Sequence, residues 1–528
     1  MEQTIIKEQC LGDALDSAAA QWGNRTGWVF EDERVSFAEM AQRSRGVARA
    51  LMANGIGKGD LVATWMPSLR EFAEIEYACA RVGAIVVPIN TRFKSFEVSH
   101  MLKETEAKAL ILTERFLKND YLAMLAELGA FDGAFPTLRR IVSVDRPSDP
   151  RLTSWDDFIA EGKAVTDTAL DERQASLHWS EPTLLQYTSG STSAPKGALL
   201  NHRYVLNVGN AKFRRMGVGE GDAVLSTQPI YHIGGSCAAV PTPVSLGCIM
   251  VIPKFYEAER VMQLIERERC MSRTGMPAMF IMEMNHPNFA KYDLSSLRTA
   301  SCTGTAGMRE KIRDRMGIEF IMSAFSSTEA GGTHGDWQES WELRANTCGK
   351  PYVGTEFEIR DPETGQVMAA GEAGEIFIRG WWTMNGYFKQ PELTARTKGA
   401  DGFVRTGDRA MIDEAGYLHF LGRYKNMLRV GGENVAAEEI ESMLLTHPKV
   451  KQAAVIGMPD DRLTEVPFAI IELVANAELP ESEIIAYCAE RMANFRVPRG
   501  VRFTDSWPMT GSGKIQRHLL AENFLPRH

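Results

Sequence analysis

Thr188-Ser189-Gly190-Ser191-Thr192-Ser193-Ala194-Pro195-Lys196-Gly197 directly follows the apolar run Thr183 to Tyr187, and a helix is expected to resume near His202. The apolar run reads as a strand. The ten residues after it read as a loop, because glycine, proline and small hydroxylated residues disfavour both helix and strand. Interleaved glycine and hydroxyl side chains expose backbone N–H groups, and Lys196 adds a positive charge. Such a loop can wrap phosphate oxygens. A flexible Ser/Gly linker has a similar composition. The strand before the loop and the Pro195-Lys196-Gly197 ending weigh against that alternative. The loop is not a Walker A motif, which needs Gly-Lys followed by Ser or Thr; Gly513-Lys514-Ile515 fails in the same way.

Working toward the N-terminus, Ser36 to Asn54 reads as a helix, with capping-box spacing between Ser36 and Glu39 and a stop at Asn54-Gly55. Leu61 to Trp65 reads as a strand, Leu69 to Val82 as a helix, and Ala84 to Ile89 and Lys108 to Thr113 as further apolar runs. Helices alternating with short β-branched runs predict an α/β domain. Toward the C-terminus, Gly374 to Arg379 reads as a strand, Asp413 to Gly416 as a turn and Tyr417 to Leu421 as a strand. The composition changes at Gly422-Arg423-Tyr424-Lys425-Asn426. Beyond it come a helix (Ala437 to Leu445), strands (Ala453 to Gly457 and Phe468 to Val474), a helix (Glu481 to Ala493) and a strand (Gly500 to Thr504). The expected architecture is therefore a large, subdivided α/β part, residues 1–424, and a small α+β domain, residues 425–528.

Composition excludes other classes. The chain has 528 residues, 44% hydrophobic and 24% charged, with a net charge of −9, so it carries no global basic field for nucleic acid. No basic, then apolar, N-terminal leader and no apolar run long enough to span a bilayer are present. The eight cysteines show no CxxC spacing. They read as buried thiols in a reducing compartment, and a cytoplasmic location is expected.

Four more segments carry chemistry: Ala324-Phe325-Ser326-Ser327-Thr328-Glu329, Thr406-Gly407-Asp408, Gly422-Arg423 with Gly431-Gly432-Glu433-Asn434, and Pro508-Met509-Thr510-Gly511-Ser512-Gly513-Lys514-Ile515. Taken singly they read simply, as a helix cap, a turn, a surface ion pair and a solvated tail. Together, in this order, they resemble the adenylate-forming superfamily of acyl-CoA synthetases, aryl-CoA ligases, luciferases and peptide-synthetase adenylation domains. The loop resembles that family's TSGSTGxPKG, with Ser193 in place of a glycine. Phe325 to Glu329 resembles YGxTE, with Phe325-Ser326 replacing Tyr-Gly. The resemblance covers essentially the whole chain.

The resemblance implies a role for each matching residue. Thr188, Ser189, Gly190, Ser191, Thr192 and Lys196 would hold ATP phosphates. Phe325 would stack on adenine, with Ser326 and Gly304 beside the nucleotide. Thr328 would touch the α-phosphate, and Glu329 would hold Mg²⁺, a cation suited to few carboxylates plus substrate phosphates. Asp408 would accept hydrogen bonds from the ribose, and Arg423 would contact ribose or phosphate. Lys425 would be a hinge. Lys514 would stabilise charge on the reacting carboxylate and α-phosphate. His232, Gly234, Thr303, Gly331, Gly431 and Gly432 fall in segments that line the acyl and coenzyme A sites, His232 reading equally as a structural histidine.

The implied reaction converts a carboxylic acid and ATP into an acyl-adenylate, then transfers the acyl group to coenzyme A as the small domain rotates. The resemblance also admits a homodimer. Two alternatives stay open: loading of a carrier protein in trans, and nucleotide binding without catalysis. No carrier-like domain follows before His528. The segments Tyr231 to Ala239, Cys302 to Ala306 and Phe325 to Gly332 hold small apolar or hydroxylated residues and no extra cation. They suit a monocarboxylic acid with an apolar chain or ring: medium-chain fatty, alicyclic or aryl.

Overall fold

Local signals set the first elements. The Ser36 hydroxyl accepts a hydrogen bond from the Glu39 N–H, and the Glu39 carboxylate accepts one from the Ser36 N–H. This reciprocal cap starts the helix Phe37–Ala53. The helix Arg70–Val82 ends at Gly83, whose φ of +77° places it in the left-handed region that glycine adopts without strain. The computed structural model describes residues 6–188, 195–430, 433–460, 462–509 and 515–525.

The chain divides into two compact units, Met1–Glu356 with Ile378–Val404, and Phe357–Phe377 with Arg405–His528. Two sheets organise the first unit. One has the order Phe320–Met322, Thr299–Cys302, Ser272–Gly275, Ala223–Ser226, Ile249–Ile252, Thr26–Phe30, Glu33–Ser36. Its pairs are parallel except for the terminal hairpin. The other runs Gly386–Tyr387, Lys196–Asn201, Pro182–Thr188, Ile85–Pro88, Leu61–Trp65, Ala109–Leu112, Arg140–Ser143, Thr153–Ser154. Strands Ile85–Pro88 and Leu61–Trp65 are apolar along their whole length apart from Thr64 and are buried on both faces, as parallel strands covered by helices must be.

Two predicted boundaries shift. Thr188, Lys196 and Gly197 belong to strands, not to the loop: Thr188 pairs with Lys196 and Tyr187 with Gly197 across an antiparallel hairpin. The pairing absorbs both ends of the loop because Lys196–Asn201 has a partner on each side. Ser327-Thr328-Glu329 caps no helix. It joins strands Ala324–Ser327 and Gly331–His334, with Ser327 Oγ accepting from the Ala330 N–H at 3.1 Å. None of the eight cysteines forms a disulfide; seven are buried as expected and Cys348 is partly exposed. No helix among the described residues is long and apolar enough to cross a membrane.

The second unit carries most of the sheet Thr355–Arg360, Gly374–Gly380, Val404–Ile412, Leu418–Arg423, and a second sheet built on the hairpin Val450–Asp460 and Thr464–Leu473. These hairpin strands outrun the expected ones because ten pairs extend along them. The helix Glu481–Ala489 is shorter than expected, since the Cys488 carbonyl takes the N–H groups of both Arg491 and Met492 and closes it.

Two buried charges in the first unit have measurable consequences. Arg273 and Glu283 form an ion pair with both side chains fully buried, and the guanidinium stacks 4.0 Å from the Phe280 ring centroid. Removing one member strands the other. Glu283→Ala is expected to cost about 3–5 kcal/mol in denaturant unfolding. The double change Arg273→Met with Glu283→Leu should recover most of that loss; a double variant as weak as the single one contradicts this.

Glu76, on the helix Arg70–Val82, has neither carboxylate oxygen hydrogen-bonded among the described residues. Burial raises its pKa well above the ordinary carboxyl value. The folded state therefore keeps a proton that the unfolded chain sheds near pH 4.3. The stabilising effect of that proton is complete below the unfolded pKa and erodes as pH rises toward the folded one. Glu76→Gln, which does not titrate, should gain on the parent by about 1.4 kcal/mol per pH unit across this window. A stability difference independent of pH would contradict the assignment.

Candidate functional site

In the first unit, strand pairing sets Lys196 beside Thr188, and Thr188 in turn meets Glu329. Thr188 Oγ1 lies 3.3 Å from Glu329 Oε1 and 3.4 Å from the Lys196 carbonyl. Tyr387 Oη donates to the same Glu329 oxygen at 3.1 Å. Burial and the neighbouring Glu329 charge raise the Tyr387 pKa, so the phenol keeps its proton and remains a donor. Both hydrogen bonds thus fall on Oε1, and no protein donor is seen on Oε2 among the described residues. A half-exposed carboxylate with one oxygen open fits Mg²⁺ held jointly with phosphates. Among the described residues no group of three or more potential metal ligands exists to bind an ion by protein alone.

The turn itself is fixed from three sides. Tyr204 Oη donates to the Thr328 carbonyl at 2.9 Å, the Met384 N–H donates to the Glu329 carbonyl at 2.9 Å, and Ser326 pairs with Gly332. Gly331 has a φ of +65°, and a Cβ there would stand 2.6 Å from Trp382 Cγ. Only glycine fits both the backbone and the space. Phe325 is buried and Ser326 exposed, as successive strand residues face opposite ways.

The other predicted acyl segments lie in the same unit. His232 precedes the short helix Ile233–Ser236, and its Nδ1 accepts from the Gly234 N–H at 3.1 Å. Gln186 ties this segment to the strand before the loop: its amide donates to the Tyr231 carbonyl at 2.9 Å and accepts from Ser236 Oγ at 3.3 Å. Thr303 is exposed at the end of strand Thr299–Cys302. Arg309 anchors the backbone around Thr303 by donating to the carbonyls of Cys302 and Gly304.

In the second unit, Asp408 and Arg423 are cross-strand partners, with Arg423 Nε 2.7 Å from Asp408 Oδ1. Asp408 is fully buried. The expected turn at Thr406-Gly407-Asp408 is instead part of the strand Val404–Ile412, braced by Glu375, which accepts from the Gly407 N–H at 2.9 Å and from Arg405 Nε at 2.8 Å. Gly407, at a φ of +73°, supplies a left-handed residue within that strand. Lys425 lies in the short 3₁₀ turn Tyr424–Asn426, inside the second unit. Ser189, Gly190, Ser191, Thr192, Gly431, Gly432 and Lys514 lie outside the described residues.

Sequence reasoning missed Tyr204, Gln186 and Arg309, whose contacts reach 124, 50 and 36 residues along the chain. It also missed Lys212 on the helix His202–Arg215, a lysine that keeps some accessible surface while burial pulls its pKa down to about 8.

The profile of the AMP-binding enzymes matches residues 15–388, and that of the AMP-binding enzyme C-terminal domain matches residues 439–514. The large α/β part and the small C-terminal domain are thus those of an AMP-binding enzyme. Relatives narrow the class. The chain is 35% identical to YngI of Bacillus subtilis (strain 168), an acyl-CoA synthetase by name, over 98% of this chain and 97% of that one. It is 31% identical to the mitochondrial medium-chain acyl-CoA ligase ACSF2 of Mus musculus, over 97% and 87%. The crystal structure of the anthranilate CoA ligase AuaEII with anthranoyl-AMP superposes with a TM-score of 0.87 at 25% identity, over 98% of both chains. The chain belongs to the adenylate-forming AMP-binding superfamily, within its AMP-forming acyl-CoA synthetases and ligases.

Proposed function

We propose that the protein condenses a monocarboxylic acid bearing an apolar chain or ring with ATP, releasing pyrophosphate, and then passes the acyl group to coenzyme A, releasing AMP. The observation that carries this reading is the convergence of Thr188 and Tyr387 on Glu329, with Lys196 paired beside Thr188. In the first step a carboxylate oxygen attacks the α-phosphorus and pyrophosphate leaves. No protein nucleophile is needed; two anions must be positioned and their repulsion screened. Thr188 and Lys196 with Ser189 to Thr192 hold the phosphates, Thr328 faces the α-phosphate, and Phe325, Ser326 and Gly304 bound the adenine. Glu329 would hold Mg²⁺, which neutralises charge on phosphate oxygens when bound. Asp408 and Arg423 take the ribose, and Lys514 stabilises the charge that develops during adenylation.

In the second step the thiol of coenzyme A attacks the acyl carbonyl, loses its proton, and AMP leaves. Residues 425–528 turn about Lys425 between the steps, replacing Lys514 with the Gly431-Gly432 side, where glycines let the pantetheine arm approach the backbone. The medium-chain and anthranilate ligases among the similar proteins support an acid of medium-chain, alicyclic or aryl type. The test is exchange of labelled pyrophosphate into ATP without coenzyme A. Exchange that appears only with a carboxylic acid supports adenylation; exchange indifferent to every acid, or none at all, contradicts it.

A further inference from the structure

Lys212 has no hydrogen-bond acceptor and no carboxylate against its ammonium among the described residues; its recorded neighbour is the Phe213 ring, 5.7 Å from Nζ to centroid. Lys212 keeps some accessible surface, so its charge stands open to an acceptor from outside the chain. Its surroundings explain what it is for. Three residues earlier on the same face of the helix His202–Arg215, Gly209 lies so close to the Ala238–Thr242 backbone that a Cβ would stand 2.6 Å from the Ala238 carbonyl. At the end of the helix, Arg215 donates to the His334 carbonyl at 2.8 Å.

Lys212 therefore lies between the segment that follows His232 and the far end of strand Gly331–His334. His334 is close enough for the Lys212 charge to help lower its pKa, to about 3, with burial the larger cause. His334 is thus neutral, and its two ring nitrogens are occupied, Nδ1 on the Gly335 carbonyl at 2.6 Å and Nε2 on Ser301 Oγ at 3.0 Å. It offers Lys212 no acceptor. Ser301 sits two residues before Thr303 on the strand Thr299–Cys302. Two of the segments assigned to the acyl site, Tyr231 to Ala239 and Phe325 to Gly332, thus lead to elements packed against the helix that carries Lys212, and Ser301 ties the third to His334. His334 lies three positions beyond Gly331 along the strand, about 10 Å.

We propose that Lys212 is a specificity-determining residue of the acyl site, whose ammonium receives an oxygen acceptor at the distal end of the acid, a carbonyl or a second carboxylate. The assignment rests on the acid-activating reading above and adds a polar terminus to the apolar chain or ring. Charge-assisted hydrogen bonding to such a group supplies the missing partner. Lys212 lies outside the segments that match family motifs, so no spacing points to it.

The test compares unsubstituted acids with ω-oxo and α,ω-dicarboxylic acids of matched length, using the parent, Lys212→Met and Lys212→Arg, each checked for an unchanged melting temperature. The parent should favour acceptor-bearing acids by about tenfold in kcat/KM, the size of one charge-assisted hydrogen bond. Lys212→Met should lose that preference through a raised KM with kcat little changed, and should handle unsubstituted acids as well as the parent or better. Lys212→Arg should restore part of the preference. The better of the oxo and dicarboxylic series identifies the acceptor. A parent that ignores the distal group, or a Lys212→Met variant that weakens both series equally, overturns the assignment while leaving acid activation standing. A parent that activates no acid of any series overturns both.

Discussion

Glu329→Gln is expected to lower acyl-adenylate formation by about 10²–10³-fold, the loss typical of removing one preorganised electrostatic contact at a site of charge development. Glutamine keeps the size of the side chain, and its carbonyl oxygen can still accept from Thr188 Oγ1 and Tyr387 Oη, which lie 3.3 and 3.1 Å from the native carboxylate. The turn is held by backbone contacts from Tyr204 and Met384 that the substitution leaves in place. The fold should therefore survive, and only the charge is lost. Two readouts separate a role in catalysis from one in architecture: pyrophosphate exchange should fall while the melting temperature stays, and the Mg²⁺ concentration for half-maximal rate should rise. Exchange within a few-fold of the parent at every Mg²⁺ concentration would make Glu329 a structural hub only.

Lys514→Ala should cripple the first half-reaction and largely spare the second. A point charge placed on the reacting carboxylate and α-phosphate acts while the adenylate forms and has no task once the thiol attacks. The expected loss in pyrophosphate exchange is again about 10²–10³-fold. Thioester formation from supplied acyl-adenylate should stay within a few-fold of the parent. Equal loss in both assays would sink the division of labour between Lys514 and the Gly431-Gly432 side.

Much of the fold was legible where the signal is local. Ser36 with Glu39 announces a helix start, Asn54-Gly55 its stop, and Leu61 to Trp65 a strand, because caps and apolar runs act within a few residues. Pairing was less legible. Nothing near Lys196 shows that the chain returns along Pro182–Thr188, or that Thr26–Phe30 lies beside Ile249–Ile252; those neighbours are chosen by the sheet as a whole.

The site divides the same way. Thr188, Lys196, Thr328 and Glu329 stand out only through their resemblance to family motifs; taken alone, Thr328 and Glu329 read as a helix cap. Tyr204, Gln186 and Lys212 lie outside every motif, and only the fold shows what surrounds them. The distal acceptor site is the clearest case: three segments chosen by motif contain no cation, and the fold brings one to them from a neighbouring helix.

The most direct test of the central claim is the balance of products from purified protein with ATP, Mg²⁺, coenzyme A and a panel of medium-chain, alicyclic and aryl acids. The account predicts one acyl-CoA for each AMP and each pyrophosphate with at least one class of acid, and no steady AMP release when coenzyme A is withheld. AMP released at the same rate with and without coenzyme A, with no thioester formed, would contradict it.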